Sequence, residues 1–287
     1  VDEEKNRTVI VTGGGTGIGR GIARRLLRDG FLCVLAGPDE SFLVETVQNS
    51  GVDAERALVV MTDLRDPDER EELVQRAVEW RGRLFGLVNN AGVTRLTPLL
   101  DESVEEWRNT ITTNLEACFF LAQLTVGHMR KHGEGRIVNI GSIHGLVGRD
   151  PLGLDVLETS PGDRGPIRES AYAASKGGLL QITRDLATAV GRWGITVNAV
   201  SPGFVSHPEE EKRRRLAAGE QSGLVGKSDP RMIEAREQIS ERIQARVPLR
   251  RLGRVEDVAG PVSFLMSCDA SYLTGTNIVA DGGFSAW

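Results

Sequence analysis

Cysteine is scarce in this chain: Cys33, Cys118 and Cys268 are the only three among 287 residues. They stand far apart in apolar surroundings, and an odd number cannot all pair. That argues against a disulfide scaffold and a thiolate metal centre, and for buried thiols in a reducing, cytoplasmic compartment. Long apolar runs are missing as well. The greasiest stretch, Leu115 to Val126, is broken by Glu116 and Gln123, whereas a bilayer span needs about 18 or more apolar residues in a row. No membrane segment is expected, and the opening VDEEKNR has no apolar signal region. An excess of one charge is also absent. Lys and Arg number 35 against 40 Asp and Glu, a net charge of -5, so no broad field attracts nucleic acid. Histidine is rare too. His128 and His132 are four apart but have no acidic partners in register, so no metal site is expected.

What is present is ordinary globular composition, 40% hydrophobic and 26% charged, in a chain long enough to bury a substantial core. Short β-branched runs alternate with segments of helical spacing. TVIVT (8–12) precedes a glycine cluster and a helix ending near Gly30. FLCVLAG (31–37) precedes a helix over 41–49. ALVVMTD is a third strand, ending at Asp63, and LFGLVNNAG a fourth. One or two helices fill 101–130. RIVNIGS, ITVNAVSPG and NIVADGG are further strands, with helices at 171–192 and 255–267 between them. This is the βαβ rhythm of an α/β fold with a mostly parallel sheet and helices on both faces. No linker rich in Pro, Gly or Ser divides the chain. The expectation is one domain over 1–287, with insertions near 146–169 and 206–244.

The glycine cluster Gly13-Gly14-Gly15-Thr16-Gly17-Ile18-Gly19 sits between the first strand and the first helix. Gly13 suits a tight turn, Gly17 a close approach of backbone to a pyrophosphate, and Gly19 close packing of helix on sheet. The helix N-terminus then offers N–H groups and a favourable dipole to phosphates. NAD is favoured by an acidic residue at the end of strand two and NADP by a cation there. Here Gly37-Pro38-Asp39 follows. Asp39 can bind a ribose or start a helix. Arg20 can reach a phosphate or lie on the surface. With no cation at Thr16 or Pro38, the segment leans toward NAD over NADP. Asp63 can accept a hydrogen bond from an adenine amino group, or cap a helix.

Tyr172 and Lys176 are four apart, on one face of a helix. A phenol ionises near 10 and is a poor acid–base group alone. A neighbouring ammonium should lower that value, so that Tyr172 can exchange a proton with an alcohol oxygen. Ser142, at the end of strand five, is placed to bind the same oxygen, and Asn114 to hold a water near Lys176.

These motifs together resemble the short-chain dehydrogenase/reductase family. The residues that carry the likeness are the glycine cluster, Asp63-Leu64, Asn89-Asn90-Ala91-Gly92, Asn114, Ser142, Tyr172 with Lys176, Pro202-Gly203, Tyr272-Leu273-Thr274-Gly275 and Asp281-Gly282-Gly283. The resemblance implies a Rossmann-like, doubly wound sheet of seven strands, and NAD- or NADP-dependent exchange of an alcohol and a carbonyl. It implies a catalytic set of Asn114, Ser142, Tyr172 and Lys176, with Tyr172 and Lys176 also at the cofactor. It implies a cofactor site lined by Gly13, Thr16, Gly17, Ile18, Gly19, Asp39, Asp63, Leu64, Asn89, Ala91 and Gly92, with Pro202, Gly203 and Val205 beside the nicotinamide. A homotetramer, less often a dimer, is the implied assembly.

Three features depart from the family pattern. Ser142 and Tyr172 are much farther apart than usual, because the first insertion lies between them and begins and ends beside the expected active site. His207, with Ser206 beside it, stands where a threonine usually bonds the nicotinamide amide. The end of strand two is noncommittal. The run Glu209 to Arg215 reads as a solvated helix or part of a substrate lid. His144 and Arg95 can face the pocket. These hints favour a sugar, polyol or hydroxy acid as substrate. A carrier-bound 3-oxoacyl thioester is the alternative reaction partner, and a non-catalytic dinucleotide-binding regulator or scaffold is the alternative class.

Overall fold

The computed structural model describes residues 7–81, 83–149, 164–206 and 230–286, with backbone alone for 230–237. Its centre is set by the β-branched run at the start. Strand β1 (Thr8–Thr12) is buried over its whole length. Val9 and Val11 face one core, and Ile10 faces the other, as the two-residue period of a strand covered on both sides requires.

The remaining strands of the sheet are β2 (Leu32–Gly37), β3 (Ala57–Met61), β4 (Leu84–Asn89), β6 (Gly135–Ile140), β8 (Ile195–Pro202) and β9 (Asn277–Ala280). Their order is β3-β2-β1-β4-β6-β8-β9, and every pairing is parallel. The chain winds from β1 out to β3, then returns to β4 on the other side of β1. That reversal opens a crevice at the carboxyl ends of β1 and β4, where ligands of such sheets bind.

Helices cover both faces. On one, α1 (Gly17–Arg28) turns Ile22, Ala23, Leu26 and Leu27 inward against α8 (Val255–Met266). On the other lie α3 (Pro67–Arg81), α5 (Ala117–Met129) and α6 (Ser170–Val190). Helix α2 (Glu40–Gln48) follows β2. The stretch at 101–130 becomes α4 (Val104–Ile111), a π-turn at Thr112–Glu116 and then α5.

Some boundaries differ from expectation. β3 stops at Met61, because Asp63 bonds into a turn with Arg65. The end of the first insertion is not a plain loop: β7 (Ile167–Arg168) pairs antiparallel with β5 (Thr97–Pro98). The second polar region contains a helix, α7 (Pro230–Arg246). Among the described residues no helix is long and apolar enough to cross a membrane.

Candidate active site

The glycine loop is built for close approach. Gly13 has φ +65°, and a Cβ on Gly19 would lie 2.1 Å from the Gly13 carbonyl oxygen. Only glycines let the loop fold back on the first turn of α1 in this way. The Gly13 and Gly14 N–H groups donate to the Ala36 carbonyl, which ties the loop to β2. The Gly15 carbonyl accepts from Arg20 Nε (2.8 Å). Arg20 is buried and also meets Glu45 at 3.3 Å, so it braces the loop and is not a surface group. Thr16 is the N-cap of α1 but makes no side-chain cap bond, and the first turn holds no acidic residue. Gly17 opens the helix with φ +53°, and Ile18 packs against the core. A positive helix end beside a glycine turn, with no acidic residue in its first turn, fits a dinucleotide pyrophosphate.

At the end of β2, Asp39 caps α2. Its Oδ1 accepts from the Ser41 N–H and hydroxyl and the Phe42 N–H, and the Ser41 hydroxyl above all holds its carboxyl below the ordinary value. Asp63 is engaged by Arg65, whose Nε lies 2.9 and 3.1 Å from its two oxygens. That pairing brings its pKa to about 2. The cap of α3 is supplied by Asp66, which accepts from the Asp68 N–H (2.8 Å), and not by Asp63. Leu64 is buried.

After β4 the two asparagines divide the work. Asn89 turns into the core, where Nδ2 donates to the Cys118 carbonyl and to Asn139 Oδ1 (2.9 Å). Its side chain thus joins β4 to β6 and α5 and does not point to the crevice. Asn90, to which the sequence alone assigns no role, fastens the glycine loop: its Nδ2 donates to the Thr12 carbonyl (2.9 Å) and its N–H to Thr12 Oγ1 (3.0 Å). The Ala91 N–H shares that hydroxyl. A Cβ on Gly92 would stand 3.3 Å from Asn114 Oδ1 and 3.6 Å from Lys176 Nζ, so this glycine keeps the two side chains close. Asn114 sits in the π-turn. Its side chain bonds both backbone groups of Val93 and donates to Ser175 Oγ. It is therefore a clasp between the β4 loop and α6.

Ser142, Tyr172 and Lys176 converge at the carboxyl edge of β6. Lys176 is buried and donates to the Ile140 carbonyl (2.7 Å); burial lowers its pKa. Its Nζ lies 5.6 Å from the centre of the Tyr172 ring. Burial pushes the Tyr172 pKa up, a hydrogen bond with Ser142 pulls it down, Glu169 pushes it up and Arg149 pulls it down. The direction is opposite to the sequence expectation, since loss of water around the phenol outweighs the groups that favour the phenolate. Pro202 ends β8. The Gly203 N–H donates to Ala280 O, and Val205 bridges to Gly253.

A further cluster surrounds Glu169. Glu169, buried at the N-cap of α6, accepts from the Thr94 hydroxyl (2.9 Å), pairs with Arg149, and meets His144 Nε2 at 3.3 Å. It joins the loops after β4 and β6 to the start of the first insertion. No sequence spacing reveals it, because its members are distant in the chain. Arg95 pairs with Glu106 on α4. His207, the run Glu209 to Arg215 and residues 150–163 lie outside the described residues. Among the described residues no group of three His, Cys, Asp or Glu side chains is arranged to hold a metal.

The chain matches the short chain dehydrogenase family over residues 7–152. A second family, described as enoyl-(acyl carrier protein) reductase, matches over 159–222 and 221–285. It is 35% identical to the L-rhamnose 1-dehydrogenase (NAD(P)(+)) of Azotobacter vinelandii, covering 97% of this chain and 96% of that protein. It is 33% identical to the D-beta-hydroxybutyrate dehydrogenase of Rhizobium meliloti, covering 98% and 99%. A crystal structure from Sinorhizobium meliloti 1021, of a protein assigned as a short-chain alcohol dehydrogenase, superposes with a TM-score of 0.79 at 32% identity, over 98% of this chain and 97% of that one.

Proposed function

The chain belongs to the short-chain dehydrogenase/reductase family, an NAD(P)-dependent oxidoreductase family, and from that premise we propose that it moves hydride between nicotinamide and a secondary alcohol or its ketone, on a sugar, polyol or hydroxy acid. The observation that carries the proposal is the meeting of Ser142, Tyr172 and Lys176 beside the β1–β4 crevice. When bound there, the nicotinamide gives or takes the hydride. Ser142 holds the substrate oxygen. The Tyr172 phenolate takes the proton of that oxygen in oxidation, and the Tyr172 phenol returns it in reduction. Lys176, anchored by the Ile140 carbonyl, places positive charge under the Tyr172 ring. Asn114 positions Gly92 and Val93 against α6.

The names of the two relatives, one a sugar dehydrogenase and one a hydroxy-acid dehydrogenase, support a small, oxygen-rich substrate. A relative named as a 3-oxoacyl-[acyl-carrier-protein] reductase, from Staphylococcus aureus and 32% identical over 96% of this chain and 97% of that protein, favours a carrier-bound 3-oxoacyl thioester as the rival substrate. NAD over NADP, a tetramer or dimer, and a place in the cytoplasm belong to the same proposal. The test is turnover of purified protein with NAD and NADP in parallel, against polyols, sugars, hydroxy acids and a 3-oxoacyl thioester, read by nicotinamide absorbance. Activity on the first three classes is expected, and Tyr172→Phe should lower it at least ~100-fold while cofactor binding survives. Activity on the thioester alone would select the rival, and cofactor binding with no turnover would select a non-catalytic binder.

A further inference from the structure

Among the described residues the His144 ring has one polar neighbour. Its Nε2 lies 3.3 Å from Glu169 Oε1, and its side chain is 9% exposed. Its ring meets Phe204 edge-on, with centroids 5.9 Å apart. Its main-chain N–H donates to Ser142 Oγ (3.1 Å), so the residue stands next to the hydroxyl that would hold the substrate oxygen. Nδ1 is buried and has no hydrogen-bond partner among the described residues.

The proton on this ring can be located by chemistry. Burial above all, and Arg149 as well, lower its pKa against the opposing pull of Glu169, so the ring is neutral near pH 7. The Glu169 carboxylate 3.3 Å from Nε2 favours the proton there, because two lone pairs would otherwise oppose each other. Nδ1 is then a bare acceptor. Glu169 is itself secured by Thr94 and Arg149, so its facing oxygen is not free to turn away. A bare buried acceptor calls for a donor. A hydroxyl can supply one. A carboxylate and a thioester carbonyl cannot, and a carboxylate would also be repelled by Glu169.

We propose that His144 Nδ1 accepts a hydrogen bond from a second substrate hydroxyl next to the reacting one, and so selects vicinal diols and polyols, with Glu169 as the positioning residue that fixes the ring. This deepens the reading given under Proposed function and rests on it. Among the substrate classes named there, it favours the polyols and sugars over the hydroxy acids and the thioester.

The test pairs butane-2,3-diol with butan-2-ol, which differ by that one hydroxyl. The chain has four histidines, so nitrogen NMR of histidine-labelled protein is tractable, with His144→Phe used for assignment. In the NAD complex, Nδ1 of His144 is expected to resonate as an unprotonated nitrogen and to shift with the diol and not with butan-2-ol. In Glu169→Gln the two ring tautomers should mix. In turnover, the ratio of kcat/KM for diol over butan-2-ol should fall about 10-fold in His144→Phe, the factor of one neutral hydrogen bond. A protonated Nδ1, an equal response to both alcohols, or an unchanged ratio would overturn the assignment. A diol-specific shift without turnover of either alcohol would instead count against the proposed reaction and leave the assignment standing.

Discussion

A phenol that works as a base must first lose its proton. Burial raises the Tyr172 pKa, so few phenolates exist at neutral pH, and alcohol oxidation should climb as pH rises. Reduction needs the protonated phenol and should be flat through neutrality, falling only under alkaline conditions. Two neighbours pull on this limb in opposite senses. Glu169 disfavours the phenolate and Arg149 favours it. Glu169→Gln should therefore move the oxidation limb to lower pH, and Arg149→Met to higher pH, in plots of log kcat/KM against pH. A limb that stays in place in both variants would mean that another group governs it. At this scale the sequence was legible where spacing carries the chemistry: a tyrosine and a lysine four apart fall on one helical face. It was not legible where environment decides. The direction of the Tyr172 shift depends on burial and on Glu169 and Arg149, which approach only once the chain has folded.

The elements that make the crevice meet at backbone distance, and that sets what each position tolerates. A Cβ on Gly19 would lie 2.1 Å from the Gly13 carbonyl oxygen and 2.3 Å from Asn90 Nδ2. Both atoms are fixed, one in the loop and one by its bond to the Thr12 carbonyl, so neither can give way cheaply. Gly19→Ala should cost about 1–3 kcal/mol of stability, the usual range for overpacking, and should weaken cofactor binding because the loop must shift. Gly127 in α5 is the control, since a Cβ there meets nothing within 4 Å. Gly127→Ala should be neutral or stabilising by roughly 0.4–1 kcal/mol. Urea denaturation of the two variants checks both signs, and equal effects would show that helix propensity, not loop contact, is being measured. The strands and long helices could be read from the sequence because their apolar periods run for several turns or alternations. The β5–β7 pair could not, since two-residue strands have no period, and neither could the π-turn at Thr112–Glu116, which leaves the apolar pattern of its neighbours intact. The role of Asn90 beside Asn89 is not legible either, because the side a residue faces as a strand gives way to a loop is set by tertiary contact.

Across the whole molecule, the carboxyl ends of β1, β2, β4, β6 and β8 bring their loops to one edge, so a ligand bound there ties both halves of the sheet together. Such a ligand must stabilise the fold by linkage, by about 2.7 kcal/mol when present at 100 times its Kd. The rise in Tm is then a measure of cofactor preference that needs no substrate. Asp39 is the residue at issue. Its cap of α2 uses Oδ1 alone among the bonds it makes, and asparagine caps a helix about as well as aspartate. Asp39→Asn therefore removes the charge and keeps the helix start, so the Tm without cofactor should hardly change. If the carboxylate also faces the adenosine ribose, the wild type should gain more Tm from NAD than from NADP, because the 2'-phosphate would meet a like charge. The variant should narrow that gap, chiefly by binding NADP better. If instead both proteins respond identically to the two cofactors, Asp39 is a helix cap and nothing more, and the discrimination must come from the bracing of Gly15 by Arg20 or from residues outside the described chain.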